Sequence, residues 1–202
     1  MAKLGIFGGT FNPPHIGHLI CAQEARAQLG LDRVVLVPTA KPPHKEISSD
    51  PGPVARLRLC QLAVEGDSGL EASSLEVDRG GTSYTIDTLR QFREHHPDDE
   101  LTLVLGGDVA QGLPGWREPA EILELAGLAV AERGGVRRAD IMQRLEPLAR
   151  ADRVEFFDMP RCELSSSAIR RRVLAGMPVR YLVPESVRCE LEAQGWYTKG
   201  TQ

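Results

Sequence analysis

Two histidines and a pair of glycines lie close together near the amino terminus, in the segment GGTFNPPHIGH over residues 8–18. His15 and His18 are three residues apart, at the point where the following sequence predicts a helix. Both rings therefore lie at a helix start, where backbone N–H groups are exposed and the dipole is positive. Gly8 and Gly9 permit a sharp turn and close approach to a ligand. We interpret this segment as a phosphate site with two titratable donors, in preference to a plain turn with two surface histidines.

Two further segments place hydrogen-bond donors at predicted helix starts. In TSYTIDTL, over residues 82–89, the N–H groups of Tyr84 and Thr85 could hold a carboxylate, although an ordinary helix cap would use the same residues. In LSSSAIRRR, over residues 164–172, the serine hydroxyls and Arg170 suit phosphate oxygens. The alternative there is a serine cap followed by solvated arginines.

A third segment, GGD over residues 106–108, follows the apolar run LTLVL and is expected at the carboxyl end of a strand. Its glycines leave space for a nucleotide, and Asp108 can accept hydrogen bonds from ribose hydroxyls. A long loop is predicted over residues 39–53, because its prolines prevent regular structure, and loops of this length are usually functional or mobile.

These segments are positioned by short apolar runs that alternate with longer amphipathic ones, which predicts a parallel sheet covered by helices on both faces. Such sheets bind ligands at the carboxyl ends of their strands, where the strand order reverses. The expected strands are Leu4–Phe7, Val34–Val37, Leu75–Val77, Leu101–Leu105, Leu128–Ala131 and Val154–Phe157. The expected helices lie around Gly17–Leu29, Val54–Glu65, Thr85–His95, Pro119–Leu125, Ala139–Arg150, Ser166–Ala175 and Pro184–Gln194.

The composition is that of an average globular protein, with 202 residues, 42% hydrophobic and 26% charged. We expect one domain over residues 1–202, with a C-terminal helical subregion over about 164–202. A net charge of -4 gives a nucleic-acid backbone no overall attraction, so no nucleic-acid partner is expected. The longest apolar stretch, Leu125–Ala131, is far shorter than the ~20 residues of a membrane span, so no membrane partner is expected.

The four cysteines lack the spacing of metal ligands, and the amino terminus lacks the apolar core of a signal peptide. Scattered thiols are typical of a reducing compartment, so we expect a cytoplasmic protein. The cysteines are Cys21, Cys60, Cys162 and Cys189.

The motifs together resemble the HxGH nucleotidyltransferase superfamily, and in particular the bacterial nicotinate mononucleotide adenylyltransferases. After GGTFNPPHIGH, the segments KPPHK, TSYTIDTL, GGD, LPGWRE, LSSSAIRRR and YLVP follow in the family's order. The resemblance implies a Rossmann-like, doubly wound fold. It also implies transfer of AMP from ATP to nicotinate mononucleotide, giving deamido-NAD and pyrophosphate in NAD biosynthesis.

The resemblance implies roles for individual residues. His15 and His18 would be catalytic, Lys45 and His44 would contact substrate phosphate, and Trp116 would stack on the pyridine ring. The groups implied at ATP are Gly8, Gly9, Thr10, His18, Gly106, Asp108, Ser165, Ser166, Ser167 and Arg170. The groups implied at the acceptor are Phe11, Lys41, His44, Lys45, Ser83, Tyr84, Thr85, Asp108, Trp116 and Arg133.

Three positions depart from the family's pattern: Asn12 stands where Asp is common, Ser167 replaces Thr, and Arg133 lies in ERGG without the family's proline. A solvated Lys45 and a core role for Trp116 are the structural alternatives at those two positions.

The mechanism expected from these groups is in-line attack of the acceptor phosphate on the α-phosphorus of ATP, with no protein nucleophile. Mg²⁺ would be carried mainly by the ATP phosphates and water, with no dedicated metal site on the protein. The sequence leaves open a homo-oligomer. It also leaves open another HxGH adenylyl- or cytidylyltransferase acting on phosphopantetheine or a polyol phosphate, and a non-catalytic nucleotide-binding module.

Overall fold

The computed structural model describes residues 1–43, 49–132, 137–148 and 150–198, and these residues form an α/β fold around a parallel sheet. Within those ranges the sheet has the strand order β3-β2-β1-β4-β5-β6, and every neighbouring pair is parallel. The strands are β1 (Lys3–Gly9), β2 (Arg33–Pro38), β3 (Leu70–Ala72), β4 (Glu100–Gly106), β5 (Gly127–Glu132) and β6 (Val154–Asp158).

Helices connect these strands and follow the last of them. They are α1 (Ile16–Leu29), α2 (Pro53–Val64), α3 (Leu75–Arg79), α4 (Thr85–His95), α5 (Gly107–Ala110), α6 (Pro119–Leu125), α7 (Arg138–Leu145), α8 (Ser166–Leu174) and α9 (Glu185–Gln194). Gly30 and Gly195 end α1 and α9 in the left-handed conformation, as the sequence predicts for glycine after a helix. Among the described ranges, none of the helices combines the length and apolar character that crossing a bilayer requires.

The two faces of the sheet bury separate apolar clusters, because successive strand side chains point to opposite sides. In β4, Leu103 and Leu105 face the cluster formed with α4, α6 and α7, whereas Val104 faces the cluster formed with α1 and α2. The predicted doubly wound sheet, covered on both faces, is therefore confirmed.

The strand order reverses between β1 and β4, which are neighbours although α1, β2, α2, β3, α3 and α4 separate them in sequence. From β1 the chain winds outward through β2 to β3, and it then returns to β4 on the other side. The carboxyl ends of β1 and β4 thus flank a crevice of the kind in which doubly wound sheets bind ligands. The GGTF and GGD segments lie at these two carboxyl ends.

Two expected elements are wrong. Leu75–Val77 is not a strand, because Ser73 Oγ accepts the Leu75 N–H at 3.2 Å and the chain turns into α3. The strand is the preceding Leu70–Ala72. The helix expected to reach Arg150 ends at Leu145, since Pro147 cannot continue the helical hydrogen bonding.

The C-terminal helices pack on α2. Leu59 of α2, Ile169 of α8 and Val187 of α9 are fully buried in one cluster, and Tyr197 belongs to the same cluster. This packing places the start of α8 against the segment that follows β1.

Candidate active site

The two histidines stack on each other at the start of α1. Their ring centroids are 3.7 Å apart and their planes are inclined by 23°. His15 is the N-cap residue, is buried and has extended backbone angles, while His18 occupies the third position of the helix and is half-buried. The rings therefore lie together at the positive end of the α1 dipole, as the sequence predicts.

A reciprocal capping box fixes the orientation of this pair. His18 Nδ1 accepts the backbone N–H of His15 at 3.1 Å. In a neutral imidazole the other ring nitrogen then carries the proton, so His18 Nε2 is a hydrogen-bond donor. The edge of the His18 ring also meets the Phe11 ring, at a centroid distance of 5.0 Å. Phe11 is buried and has a φ of 47°, in the left-handed region.

Two glycines of the segment leave space for rings. A Cβ on Gly17 would lie 3.1 Å from the His15 ring and 3.3 Å from Cys162 Sγ, and a Cβ on Gly9 would lie 2.9 Å from the Phe11 ring. Real Cβ atoms seldom approach so closely, so these side chains could not keep their positions beside a larger residue.

The start of α8 lies against the same segment. Ser166 Oγ donates to the Pro13 carbonyl at 2.8 Å, and Arg170 Nη1 donates to the Asn12 carbonyl at 2.7 Å. Ser165 caps α8 by accepting the Ala168 N–H. The bonds of Ser166 and Arg170 join residues more than 150 positions apart and bring the predicted phosphate-binding groups of α8 next to the segment that carries the histidine pair.

A cavity of about 280 Å³ lies at the crevice between β1 and β4. Its wall is formed by β1 and β4, the loop after β2, α3, the start of α4 and the chain from α5 to α6. The predicted site residues on this wall are Gly8, Gly9, Thr10, Ser83, Tyr84, Thr85 and Trp116.

Ser83 links two sides of this cavity. Its hydroxyl accepts the Ala40 N–H at 2.9 Å, and its backbone N–H donates to the Lys41 carbonyl at 2.8 Å. Lys41 and Thr82 also form an isolated parallel bridge. The start of α4 is therefore held against the loop after β2, with the backbone of Tyr84 and Thr85 on the cavity wall.

The geometry combines an imidazole pair, two helix starts and a cavity at the switch point of a doubly wound sheet. The sequence profile of the cytidylyltransferase-like family matches residues 6–172. The chain belongs to that family.

Proteins similar to the chain include "Probable nicotinate-nucleotide adenylyltransferase" of Desulfitobacterium hafniense (strain Y51), at 41% identity over 96% of this chain and 95% of the relative. The protein of the same name from Geobacillus thermodenitrificans (strain NG80-2) is 40% identical over 98% of this chain and 87% of the relative. A solved structure, Plasmodium falciparum nicotinic acid mononucleotide adenylyltransferase complexed with NaAD, has a TM-score of 0.78 at 16% identity and covers 98% of each chain.

Within the cytidylyltransferase-like family, the chain is therefore an adenylyltransferase, and the resemblance stated from its motifs is confirmed. The solved structure shares its fold. The alternative of a non-catalytic nucleotide-binding module is not supported, because the relatives are named as enzymes over nearly the whole chain.

Several predicted site residues lie apart from the cavity. Gly106 ends β4, and Asp108 lies exposed in α5, beside the crevice but not on the described cavity wall. The Lys41 side chain is exposed. His44, Lys45 and Arg133 lie outside the described residues. Ser167 accepts a hydrogen bond from Arg170 at 3.2 Å, within α8.

Sequence reasoning missed Arg56, which is fully buried beside the family's signature segment. Its guanidinium donates to the carbonyls of Thr10, Thr39 and Ala40 at 2.6–3.1 Å, and it pairs with Asp50 Oδ1 at 2.9 Å. It therefore ties the loop after β1 to the loop after β2. An arginine among the apolar residues of α2 was the available signal, because a buried charge requires partners.

Sequence reasoning also missed Glu76, because it fell in the wrongly expected strand Leu75–Val77. In α3 the Glu76 side chain is buried on the cavity wall, with Oε1 2.5 Å from the hydroxyl of Thr88. Burial, the largest effect, raises the pKa of the carboxyl group above its ordinary value. Nearby hydroxyls and two arginines oppose that shift.

Proposed function

We propose that the chain transfers AMP from ATP to nicotinate mononucleotide, giving deamido-NAD and pyrophosphate, and that its motif residues perform this reaction. The observation that carries the proposal is the stacked pair of His15 and His18 at the α1 start, on the segment that continues from the cavity-lining residues Gly8, Gly9 and Thr10. The relatives that match nearly the whole chain carry the name of this activity.

In the proposed reaction, an oxygen of the acceptor phosphate attacks the α-phosphorus of ATP in line. The new P–O bond forms as the bond from the α-phosphorus to the bridging oxygen breaks, and pyrophosphate leaves. Because the acceptor supplies the nucleophile, the protein has to position the two substrates and stabilise the charge on the transferring group.

The histidine pair is assigned to the α- and β-phosphates. The capping bond at Nδ1 leaves His18 Nε2–H as the donor, so His18 can stabilise the phosphoryl oxygens in the transition state. His15 lies 3.7 Å away, ring to ring, at the helix start, and adds a second imidazole on the same side. Exposed N–H groups and the α1 dipole favour the same negative charge.

The start of α8 is assigned to the leaving pyrophosphate. Arg170 and Ser166 already contact the carbonyls of Asn12 and Pro13, next to the histidines, which supports their placement at the far end of the triphosphate. Asp108, exposed in α5 just after β4, is assigned to the ribose hydroxyls. Lys45 and His44 are assigned to the acceptor phosphate from the KPPHK motif alone.

The cavity is assigned to the pyridine ring of the acceptor. Trp116 offers it an aromatic face, and the backbone of Tyr84 and Thr85 at the α4 start suits its carboxylate. Arg117 lies 5.0 Å above the Tyr84 ring, so a cation also borders this part of the wall.

We propose that ATP enters with a divalent cation, Mg²⁺, bound to its phosphates. The described groups around the phosphate position are imidazole rings, hydroxyls, a guanidinium and backbone N–H groups. In the described part of the chain, no group of three or more His, Cys, Asp or Glu side chains could hold a metal. This donor set fits a metal carried by ATP and water, and the ion would neutralise phosphate charge.

We further propose that residues 1–202 act as one domain in the cytoplasm. The packing of α8 and α9 on α2 supports a single unit, since it joins the C-terminal helices to the rest of the fold. Self-association and the location of the protein remain proposals from the sequence.

The test is release of pyrophosphate from ATP by the purified protein, with one candidate acceptor at a time. Nicotinate mononucleotide should support turnover, and phosphopantetheine, glycerol phosphate and the amide mononucleotide should support much less. Turnover with phosphopantetheine or glycerol phosphate, but not with the pyridine nucleotide, would reject the assignment of the acceptor.

A further inference from the structure

Glu76 is a carboxyl group on the acceptor cavity that the proposed reaction does not use. The residue is 4% exposed, and it lines the cavity together with Ser83 and Thr85. Its Oε1 accepts the Thr88 hydroxyl at 2.5 Å. Its Oε2 is equally buried and makes no hydrogen bond of good geometry among the described residues, although the Ser83 hydroxyl interacts with the carboxyl group and lowers its pKa.

A buried polar atom without a partner is unusual, and each one needs an explanation such as a ligand. The cavity wall has a second such atom, Thr39 Oγ1, which is also without a partner among the residues that the structure describes. Two buried oxygens with unused hydrogen-bonding capacity on one wall indicate that the cavity accommodates a ligand with polar substituents.

The surroundings decide which oxygen of Glu76 carries a proton when the group is neutral. Thr88 Oγ1 donates to Oε1, so a proton on the carboxyl group belongs on Oε2. Burial raises the pKa of Glu76, against the opposing effects of the Ser83 and Thr88 hydroxyls and of the Arg79 and Arg56 guanidinium groups.

The charged groups around Glu76 come from several elements. Arg79 of α3 has its Nη2 4.0 Å from Oε1, and it also donates to Gln91 and to Thr88 Oγ1. Arg56 of α2 acts from further away, and Arg117 lines the cavity. Arg79 and Arg56 oppose the rise in the pKa of the carboxyl group.

We propose that Glu76 is a specificity-determining residue that donates a hydrogen bond from Oε2 to the carboxylate on the acceptor's pyridine ring. The proposal rests on the proposed function, and it deepens that function by naming a side chain that distinguishes the acid mononucleotide from the amide mononucleotide. The Glu76 O–H and the N–H groups of Tyr84 and Thr85 then form one set of donors for the carboxylate. A ring carboxamide is also a donor through its NH₂ group, and it matches this set less well.

Ionisation of Glu76 reverses the preference. The carboxylate form repels the acceptor's carboxylate across the cavity, whereas it can accept a hydrogen bond from a carboxamide. The preference for the acid over the amide is therefore largest at low pH and falls as pH rises.

The experiment is calorimetric titration of the wild-type protein, Glu76→Gln and the control Glu71→Gln with the acid and the amide mononucleotides, without ATP, over roughly pH 6 to 9. Glu71 is an exposed residue of β3 that pairs with Arg33. The ratio of the two dissociation constants is the readout, because both ligands share the same titrating phosphate. For the wild-type protein and Glu71→Gln, the preference for the acid should fall by up to about tenfold per pH unit once Glu76 ionises, the limit for one titrating proton. For Glu76→Gln it should not change with pH.

Equal pH dependence of the ratio in the wild-type protein and in Glu76→Gln would overturn the proposal. A second measurement needs no variant: titrations of the wild-type protein in buffers of different ionisation enthalpy should show proton uptake with the acid that exceeds the uptake with the amide. Equal uptake for the two ligands would overturn the proposal even if Glu76→Gln did not fold. Binding of the acid with the predicted pH dependence but without pyrophosphate release in the ATP assay would reject the proposed function and leave the Glu76 assignment standing.

Discussion

The hydroxyl of Tyr197 donates a 2.6 Å hydrogen bond to Oδ1 of Asn12, which lies 185 positions earlier in the chain. Both residues are buried, with 5% and 2% of their surfaces exposed. The bond joins the C-terminal segment to the loop that carries the histidines. Asn12 therefore has a positioning role that an aspartate could also fill, because each side chain offers an acceptor oxygen to Tyr197.

Tyr197→Phe should lower the free energy of unfolding by about 1–3 kcal/mol, because it removes a donor from a buried acceptor. Burial raises the pKa of Tyr197, so its hydroxyl is a neutral donor at all ordinary pH values. Urea denaturation measures the effect. The matched control is Tyr181→Phe, whose ring is 85% exposed and which should change stability by less than about 0.5 kcal/mol. Equal effects of the two substitutions would contradict the role given to the bond.

His18→Ala should reduce kcat by about 10²–10³-fold, the usual cost of losing one preorganised donor to a transition state. It should also remove the cap on the His15 N–H. His18→Asn separates these effects, since its amide oxygen can replace Nδ1 as the acceptor without supplying the Nε2 donor. We expect this variant to keep its melting temperature and lose turnover. His95→Ala, at an exposed position of α4, is the control, and near-normal kcat in His18→Asn would remove Nε2 from the mechanism.

Gly17→Ala should lower kcat/KM by about 10- to 100-fold, because the added methyl group displaces the His15 ring and small misplacements at a reacting centre are costly. Gly127→Ala in β5 is the control, since its nearest neighbours would be at 3.7 Å or more. Steady-state kinetics of both variants check this expectation. Equal kcat/KM values for the two variants would mean that the close approach of residue 17 to the His15 ring does not affect catalysis.

Arg56→Met should destabilise the protein by about 3–5 kcal/mol, the usual cost of breaking a buried ion pair. The loss leaves three backbone carbonyls without their donor as well as Asp50 without its partner. Arg58→Met, at an exposed position of the same helix, should cost less than about 0.5 kcal/mol. Chemical denaturation of both variants measures the difference, and a loss below about 1 kcal/mol for Arg56→Met would argue against the linking role of this residue.

The stability of the protein without ligand should fall with rising pH through ionisation of Glu76. In the unfolded chain its pKa lies near the ordinary value of 4.5, and burial raises it in the folded state. Above 4.5 the folded state holds a proton that the unfolded state has lost, so this contribution is full below the unfolded pKa and disappears as pH passes the folded pKa. Urea denaturation at a series of pH values should show a smaller decline for Glu76→Gln than for the wild-type protein. Parallel curves would mean that Glu76 does not titrate in this range.

The sequence predicted the fold and the enzyme family well, because both depend on local patterns. Short apolar runs alternating with longer amphipathic ones predicted the doubly wound sheet, and GGTFNPPHIGH predicted the imidazole pair at a helix start. The short β3 was displaced by five residues in the prediction, because a three-residue strand has too little alternation to be told from the start of α3.

By itself, then, the sequence determined the family, the class of reaction and the helix start that carries His15 and His18, since each depends on motifs of contiguous residues. Only the tertiary structure decided that Arg56 ties the loops after β1 and β2 together, that Glu76 lies on the cavity wall, and that Tyr197 holds the loop beside the histidines. These residues act through partners that are distant in the chain, and their burial depends on how α2, α3 and the C-terminal segment pack. Local periodicity carries no information about such contacts, because they arise when separate elements come together.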